Sequence, residues 1–349
     1  MLVLSLQYLR GLAALMVLMD HIGQKSAQQS ADVLSGWHVG GAGVDLFFII
    51  SGFIMCHTTA HKHQTVGATR QFIIRRLFRI IPLYWLVTCL ALAVYIVMPS
   101  QMNNGEGADL IASYLLLPSK QSYLVANGWT LRFEFLFYLV FMLGFFFSRY
   151  IGHIVVVTLL FALVGFGIWK PHTGVWSEFL TNPILVEFVF GMLLYHCFEK
   201  LKQQHTIILV GLIGTGIGSL WVVNQGMRSG VWALDYGVPM LLMMAGVLGF
   251  ERALQSRPIT LFKMLGDSSY AMYLIHPFAL TGGAMVMTKL GLNQLLGGWL
   301  FAAALLLTSL LAGYGLYRWV ELPITKRLKN AAWLTQPKHK TKQPLRGSI

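Results

Sequence analysis

Apolar runs of about 20 residues, the length needed to cross the ~30 Å hydrocarbon core of a bilayer, recur along the whole chain. They lie at 3–22, 40–58, 77–98, 131–148, 153–170, 182–198, 206–224, 231–250, 269–288 and 296–318. The runs are continuous rather than alternating, which argues against a β-barrel. In lipid each must then satisfy its own backbone hydrogen bonds as an α-helix. The pattern predicts an all-α polytopic membrane protein, a bundle of about ten transmembrane helices. The longest outside connection, 99–130 with "SQMNNGEGAD" and "PSKQ", is expected to cover the mouth of a site. From Lys326 the chain is basic and Pro-containing, "KRLKNAAWLTQPKHKTKQPLRGSI". The expected division is therefore a membrane domain over 1–325 and a disordered cytoplasmic tail over 326–349.

Composition agrees: of 349 residues, 56% are hydrophobic and 11% charged, which excludes a soluble protein. The formal charge of +13 first suggests nucleic acid as a partner. Its distribution removes that reading. Of 26 Lys and Arg, nineteen fall on one side of the predicted helices and five on the other, with Arg10 and Arg132 in or at the edge of spans. This is the positive-inside asymmetry, and it predicts cytoplasmic termini and binding to lipid rather than nucleic acid. The cysteines Cys56, Cys89 and Cys197 are widely spaced in or beside apolar runs, so neither a disulfide framework nor a metal site is expected. No basic residue precedes the first run and Arg10 interrupts it, so it reads as a retained helix rather than a signal peptide.

Polar residues inside spans cost several kcal/mol unless they face an interior or a wet cavity. Four places carry them: Arg10 and His21 in "LQYLRGLAALMVLMDHIG", Asp45 in "GAGVDLFFIISGF", Arg132 and Glu134 in "GWTLRFEFLFYL", and His276 in "SSYAMYLIHPF". Each also has a structural reading, as a snorkelling side chain, a buried ion pair or an interfacial histidine. An offset of eleven residues turns a helix through about three full turns plus ~20°, so Arg10 and His21 leave one face ~16 Å apart. His21 is a residue type suited to general-base chemistry near neutral pH. Asp20 points ~100° away around the helix, which leaves Glu134, from another helix, as the expected orienting partner. In "RQFIIRRLFRIIPLYW", Arg75 stands beside Arg76 and Arg79, which share a face at i, i+3. That group suits a phosphate-bearing ligand from the cytoplasm, or simply marks the inner leaflet. Asp45 and Ser51 are expected to hold the second helix against the first. Trp85, Trp129, Trp169, Trp176, Trp221 and Trp232 fall near span ends, as interfacial anchors do.

Five segments in order and spacing, "LQYLRGLAALMVLMDH", "GVDLFFIISGFIM", "RRLFRIIPLYWL", "GWTLRFEFLFYL" and "SYAMYLIHP", resemble the bacterial acyltransferase-3 membrane family. Within it they resemble the exopolysaccharide-production O-acetyltransferases. The resemblance covers residues 7–323. It implies an O-acyltransferase of the bacterial cytoplasmic (inner) membrane, with acetyl-CoA or another acyl-CoA as cytoplasmic donor and a hydroxyl of a cell-envelope glycan, free or lipid-linked, as acceptor. It also implies roles. Arg10 and His21 match the essential pair of the first helix, Arg76 and Arg79 the Arg-x-x-Arg element expected at the CoA phosphates, and Glu134 the acid after "GWTL". Ser269, Tyr273 and His276 match the late Ser…Tyr-Leu-x-His element, with Trp129 and Tyr138 in the matched "GWTL" segment. Arg132 departs from the family, whose members tend to be uncharged there.

These residues set two catalytic expectations. His21 either removes the proton of the attacking hydroxyl or itself carries the acyl group. The competing class is a transporter or flippase for a polysaccharide precursor, in which intramembrane charge marks a substrate pathway.

Overall fold

The computed structural model of the chain describes all residues except 1–2, 29–32, 35, 65–66, 100–106, 172–173, 293–296 and 330–349. Its helices are α1 (Leu4–Ala27), α2 (Ala42–Thr59), α3 (Ala68–Val97), α4 (Leu110–Leu115), α5 (Gly128–Leu143), α6 (Arg149–Trp169), α7 (Val175–Leu180), α8 (Leu185–Leu201), α9 (Thr206–Asn224), α10 (Val238–Gly249), α11 (Glu251–Ser256), α12 (Thr260–Lys289), α13 (Gly297–Leu316) and α14 (Leu322–Lys329). Two π turns, Ala233–Gly237 and Tyr317–Glu321, lead into α10 and α14. Among the described residues there is no strand, and seven helical stretches are long and apolar enough to cross a membrane. The chain is an all-α polytopic membrane protein.

Each of the ten predicted runs coincides with helix. Where boundaries differ, polar sequence is the cause. Helix α3 begins at Ala68 rather than 77, and α12 at Thr260 rather than 269. In both, a basic or polar helical extension precedes the apolar run, and hydropathy registers only the apolar part. The extension of α3 carries Arg70, Arg75 and Arg76. At the carboxyl-terminal side, α14 runs to Lys329, and its Leu328 lines the large cavity described below. The remainder of the expected tail, 330–349, lies outside the described residues.

Close approach of backbones, made possible by glycine, organises the bundle. At the α1–α12 crossing, a Cβ on Gly266 would overlap the Gln7 carbonyl, and one on Gly11 would press Leu265 at 3.0 Å. At the α2–α8 crossing, Gly52 and Gly191 stand against the backbones of Phe188 and Ile49 in the same manner. Aromatic packing fills the space between α2, α3, α5, α6 and α8, with Phe137 and Phe188 stacked at 4.2 Å. The start of α1 is fixed by Glu251, which accepts the backbone N–H groups of Leu4 and Ser5, each at 2.8 Å. A buried carboxylate at a helix N-terminus satisfies otherwise orphaned donors and complements the helix dipole.

Among the described residues of the 99–130 connection, Thr130 alone lines the large cavity described below. The described residues around α4 pack against the middle of α3, where the Tyr84 hydroxyl donates to the Ser113 carbonyl at 2.5 Å and the Trp85 indole to that of Tyr114 at 2.9 Å. Asp109 caps α4, accepting from Ala112 N–H and the Ser119 hydroxyl, each at 2.9 Å. Those donors hold the Asp109 carboxyl below its ordinary value of 3.8. A depressed folded-state pKa stabilises above the unfolded value and loses that contribution as pH falls through the folded one. Acidification below the ordinary aspartate range should therefore raise amide exchange in α4 in the native chain, and do so less in Asp109→Asn.

Gly266→Ala should lower the melting temperature in detergent, by the ~1–3 kcal/mol typical of overpacking. Gly282→Ala, on the same helix with nothing within 4 Å of an added Cβ, should leave it unchanged or raise it.

Candidate active site

A cavity of about 1180 Å³ lies among α1, α2, α3, α5, α12 and α14. Its polar lining includes Arg10, Ser51, Arg75, Arg76, Arg79, Glu134 and Tyr273. The helical extension of α3 explains the arginines, because it projects residues 75, 76 and 79 into the space instead of leaving them on a loop. Arg76 is held in place: its Nη2 donates to the Thr58 hydroxyl at 3.0 Å, and its guanidinium lies over the Phe72 and Tyr138 rings at 5.7 and 5.8 Å. Among the described residues the one close ion pair is Lys202–Glu199, far from this cluster in sequence. Arg10 sits within electrostatic reach of Arg79, Glu321, Glu134 and Asp267. The cavity therefore concentrates guanidinium charge without contact ion pairs, the condition under which it attracts a polyanion.

The inner end of the cavity meets α12, where proline changes the hydrogen bonding. Pro277 has no N–H, so the Tyr273 carbonyl four residues earlier lacks its helical donor. Asn127, just before α5, supplies one, with Nδ2 donating to that carbonyl at 2.5 Å. The Tyr273 and Thr130 hydroxyls are 2.9 Å apart. The start of α5 and the middle of α12 are thereby joined at the residue that ends the cavity. Beyond Tyr273, whose ring lies 6.0 Å from that of His276, the His276 and His21 rings meet edge to face at 4.9 Å. His276 is buried in the interior rather than placed at an interface.

The structure revises several expected roles. His21 Nδ1 pairs with the Val17 carbonyl at 2.9 Å. A carbonyl only accepts, so Nδ1 carries the proton and the neutral ring presents Nε2 as its basic atom. Glu134 is not the orienting partner. Its carboxylate instead accepts from the Ser51 hydroxyl at 3.2 Å and from the Tyr138 hydroxyl, with Tyr138 beneath Arg76. Asp45 and Ser51 do not bind α2 to α1 by hydrogen bonds: Ser51 reaches α5, and Asp45 accepts from the Trp232 indole at 2.6 Å beside the carboxyl of Glu187 on α8. Trp232 is thus tied to a buried carboxylate rather than acting as an interfacial anchor alone. Arg132 lies over Phe133 and Phe179 at 5.0 and 5.5 Å and donates to Tyr123, outside the cavity lining. Ser269 donates to the Gly266 carbonyl at 2.8 Å within α12, and Trp129 is surface-exposed against Phe133.

Sequence reasoning missed Asn127, Thr130, Glu187 and Glu321. The Pro277 in α12 signals that Tyr273 needs another donor but not which residue provides it. Glu187 and Glu321 are acids at the ends of apolar runs, a signal of the same kind as Asp45. Among the described residues no three metal-ligating side chains converge.

Residues 3–318 match the acyltransferase-3 family model, described as an acyltransferase domain. The chain belongs to that family and is a multi-pass membrane acyltransferase. It is 32% identical over 302 residues to the exopolysaccharide production protein ExoZ of Rhizobium meliloti (strain 1021), covering 83% of this chain and 90% of the relative. It is 27% identical over 369 aligned positions to the acyltransferase MdmB of Streptomyces mycarofaciens, covering 93% and 92%. No solved structure matches. Family membership displaces the transporter reading.

Asn127→Leu leaves the Tyr273 carbonyl unpaired in a buried segment, a loss of about 1–3 kcal/mol. The variant should show a lower melting temperature together with a lower kcat, whereas Thr130→Val should keep most of the stability.

Proposed function

We propose that the protein transfers an acetyl group from cytoplasmic acetyl-CoA to a hydroxyl of a cell-envelope or exported glycan. In this reading it resides in the bacterial cytoplasmic membrane, crosses it about ten times and has both termini inside. One observation carries the reading. Arg10, Arg75, Arg76 and Arg79 converge on a single cavity whose inner end, at Tyr273, adjoins the His276–His21 pair. The arginines would hold the CoA phosphates by charge-assisted hydrogen bonds. The pantetheine arm would run inward along α1. Its length is similar to the ~16 Å rise from Arg10 to His21 on an uninterrupted helix.

His21 Nε2 then takes the proton from the acceptor hydroxyl as its oxygen attacks the thioester carbonyl. The carbon–sulfur bond breaks, the new ester remains on the acceptor, and the proton passes from His21 to the CoA thiolate. The same geometry serves the alternative in which Nε2 attacks first and holds the acyl group. The positions of Arg10, His21 and Glu134 support catalytic roles for the first two and, for Glu134, a role in fixing Tyr138 beneath Arg76. The glycan acceptor is supported by the relative named for exopolysaccharide production.

Mass spectrometry of surface glycan from cells carrying the intact gene, a deletion or His21→Ala at equal protein level tests this. The acetyl mass increment should appear only with the intact protein. Its persistence in the His21→Ala cells would overturn the assignment of the base. Losing one or two charge-assisted bonds, each about 1.5–3 kcal/mol, should raise the acetyl-CoA KM of Arg76→Ala/Arg79→Ala by at least about tenfold, with a smaller change in kcat. An unchanged KM would count against donor phosphates at this site.

A further inference from the structure

A second, smaller cavity of about 350 Å³ opens past the far end of the His21 segment, lined among others by Asp20, Gln24, Trp37, His38 and Arg228. It shares no lining residue with the large cavity. Asp20 and Gln24 flank His21 along α1; His21 itself lines neither cavity, and the Asp20 carboxylate stands within electrostatic reach of it.

Its walls are built rather than incidental. The loop before α2 is clamped by Asn224 at the end of α9: His38 N–H donates to its Oδ1 at 2.8 Å, and its Nδ2 donates to the Gly36 carbonyl at 2.6 Å. The Trp37 N–H also closes a turn onto the Leu34 carbonyl at 2.8 Å. Gly40 leaves the room that the indole occupies, since an added Cβ would stand 2.6 Å from Trp37 Nε1 and 2.5 Å from Asp20 Cβ. The indole edge and Asp20 therefore pack over the same bare backbone. Asp20 Oδ2 accepts from Gln24 Nε2 at 2.9 Å, which fixes both side chains. On the other wall, Arg228 comes from a turn held by Asp235, whose carboxylate accepts from the Ser229 N–H and hydroxyl at 2.8 and 2.7 Å.

This donor set is selective. A carboxylate only accepts, a guanidinium only donates, and a carboxamide does both. Beside them lies the partly exposed face of an indole. A lipid tail would leave the polar groups unpaired, and an anion would meet Asp20. A hexopyranose ring satisfies all of them: its hydroxyls donate and accept around the rim, and its apolar C–H face covers the indole. The volume, at the small end of ligand pockets, suits a ring rather than a chain segment.

We propose that this cavity is the acceptor subsite and holds one neutral hexopyranose ring against Trp37, with Asp20, Gln24 and Arg228 on its hydroxyls, so that a ring hydroxyl is delivered to His21. The proposal rests on the acyl-transfer reading of His21.

The test uses the full chain in lipid nanodiscs and saturation-transfer NMR with the methyl glycosides of glucose, galactose, mannose and N-acetylglucosamine. CoA release from acetyl-CoA is followed in the same wild-type preparation. At least one glycoside should give a saturable signal, with affinity weakened about tenfold or more (~1.4 kcal/mol) in Trp37→Ala and in Arg228→Ala, and largely restored in Trp37→Phe. Unchanged melting temperatures would separate lost binding from misfolding. If no glycoside gives a signal that depends on Trp37, the subsite is overturned. Absence of CoA release with glycoside binding intact would instead remove the acyl-transfer reading and leave a saccharide site.

Discussion

The crossing of α1 and α12 is the constraint on which the rest of the structure depends. Gly266 admits the Gln7 carbonyl and Gly11 admits Leu265, so the two helices run closer together than any larger side chain would permit. Within a bilayer, apolar burial gives little reason for two helices to associate, and contact area gained by small residues supplies it. Everything chemical follows from that contact. It brings the His21 and His276 rings together at 4.9 Å, and it sets Tyr273 between them and the arginine cavity. Glu251 then fixes the axial position of α1 by holding its first N–H groups.

Around this pair the helices divide the labour by charge. Helix α3 presents three arginines to the large cavity, α5 contributes Glu134, and α1 supplies one cation in its first third and a histidine three-quarters of the way along. Glu134 does not act on the histidine. By accepting from Tyr138 and Ser51 it orders the floor under Arg76, and so belongs with the arginine cluster of the large cavity.

The elements were largely legible in the sequence because a bilayer imposes one length scale and one hydrogen-bonding rule on every span. Helix identity followed from that, and the candidates Arg10, Arg75, Arg76, Arg79, Ser51, Glu134 and Tyr273 do line one cavity. What hydropathy could not show was the pairing of polar groups across helices. Asp45 and Glu187 are 142 positions apart and meet only because Gly52 and Gly191 draw α2 and α8 together. The partner of His21 was missed for the opposite reason, being the backbone of its own helix. Asn127 was passed over because a polar residue before a helix reads as an ordinary loop.

The π turn at Tyr317–Glu321 is, in effect, one residue more than a regular helix would accommodate. Its presence sets the rotational phase of everything after it. Removing a single residue there would turn α14 by about 100°, carrying Thr325 and Leu328 off the cavity wall that they now complete. A length change of one residue in the last long helical stretch would thus open the side of a chamber whose α3 arginines lie some 250 positions earlier in the chain.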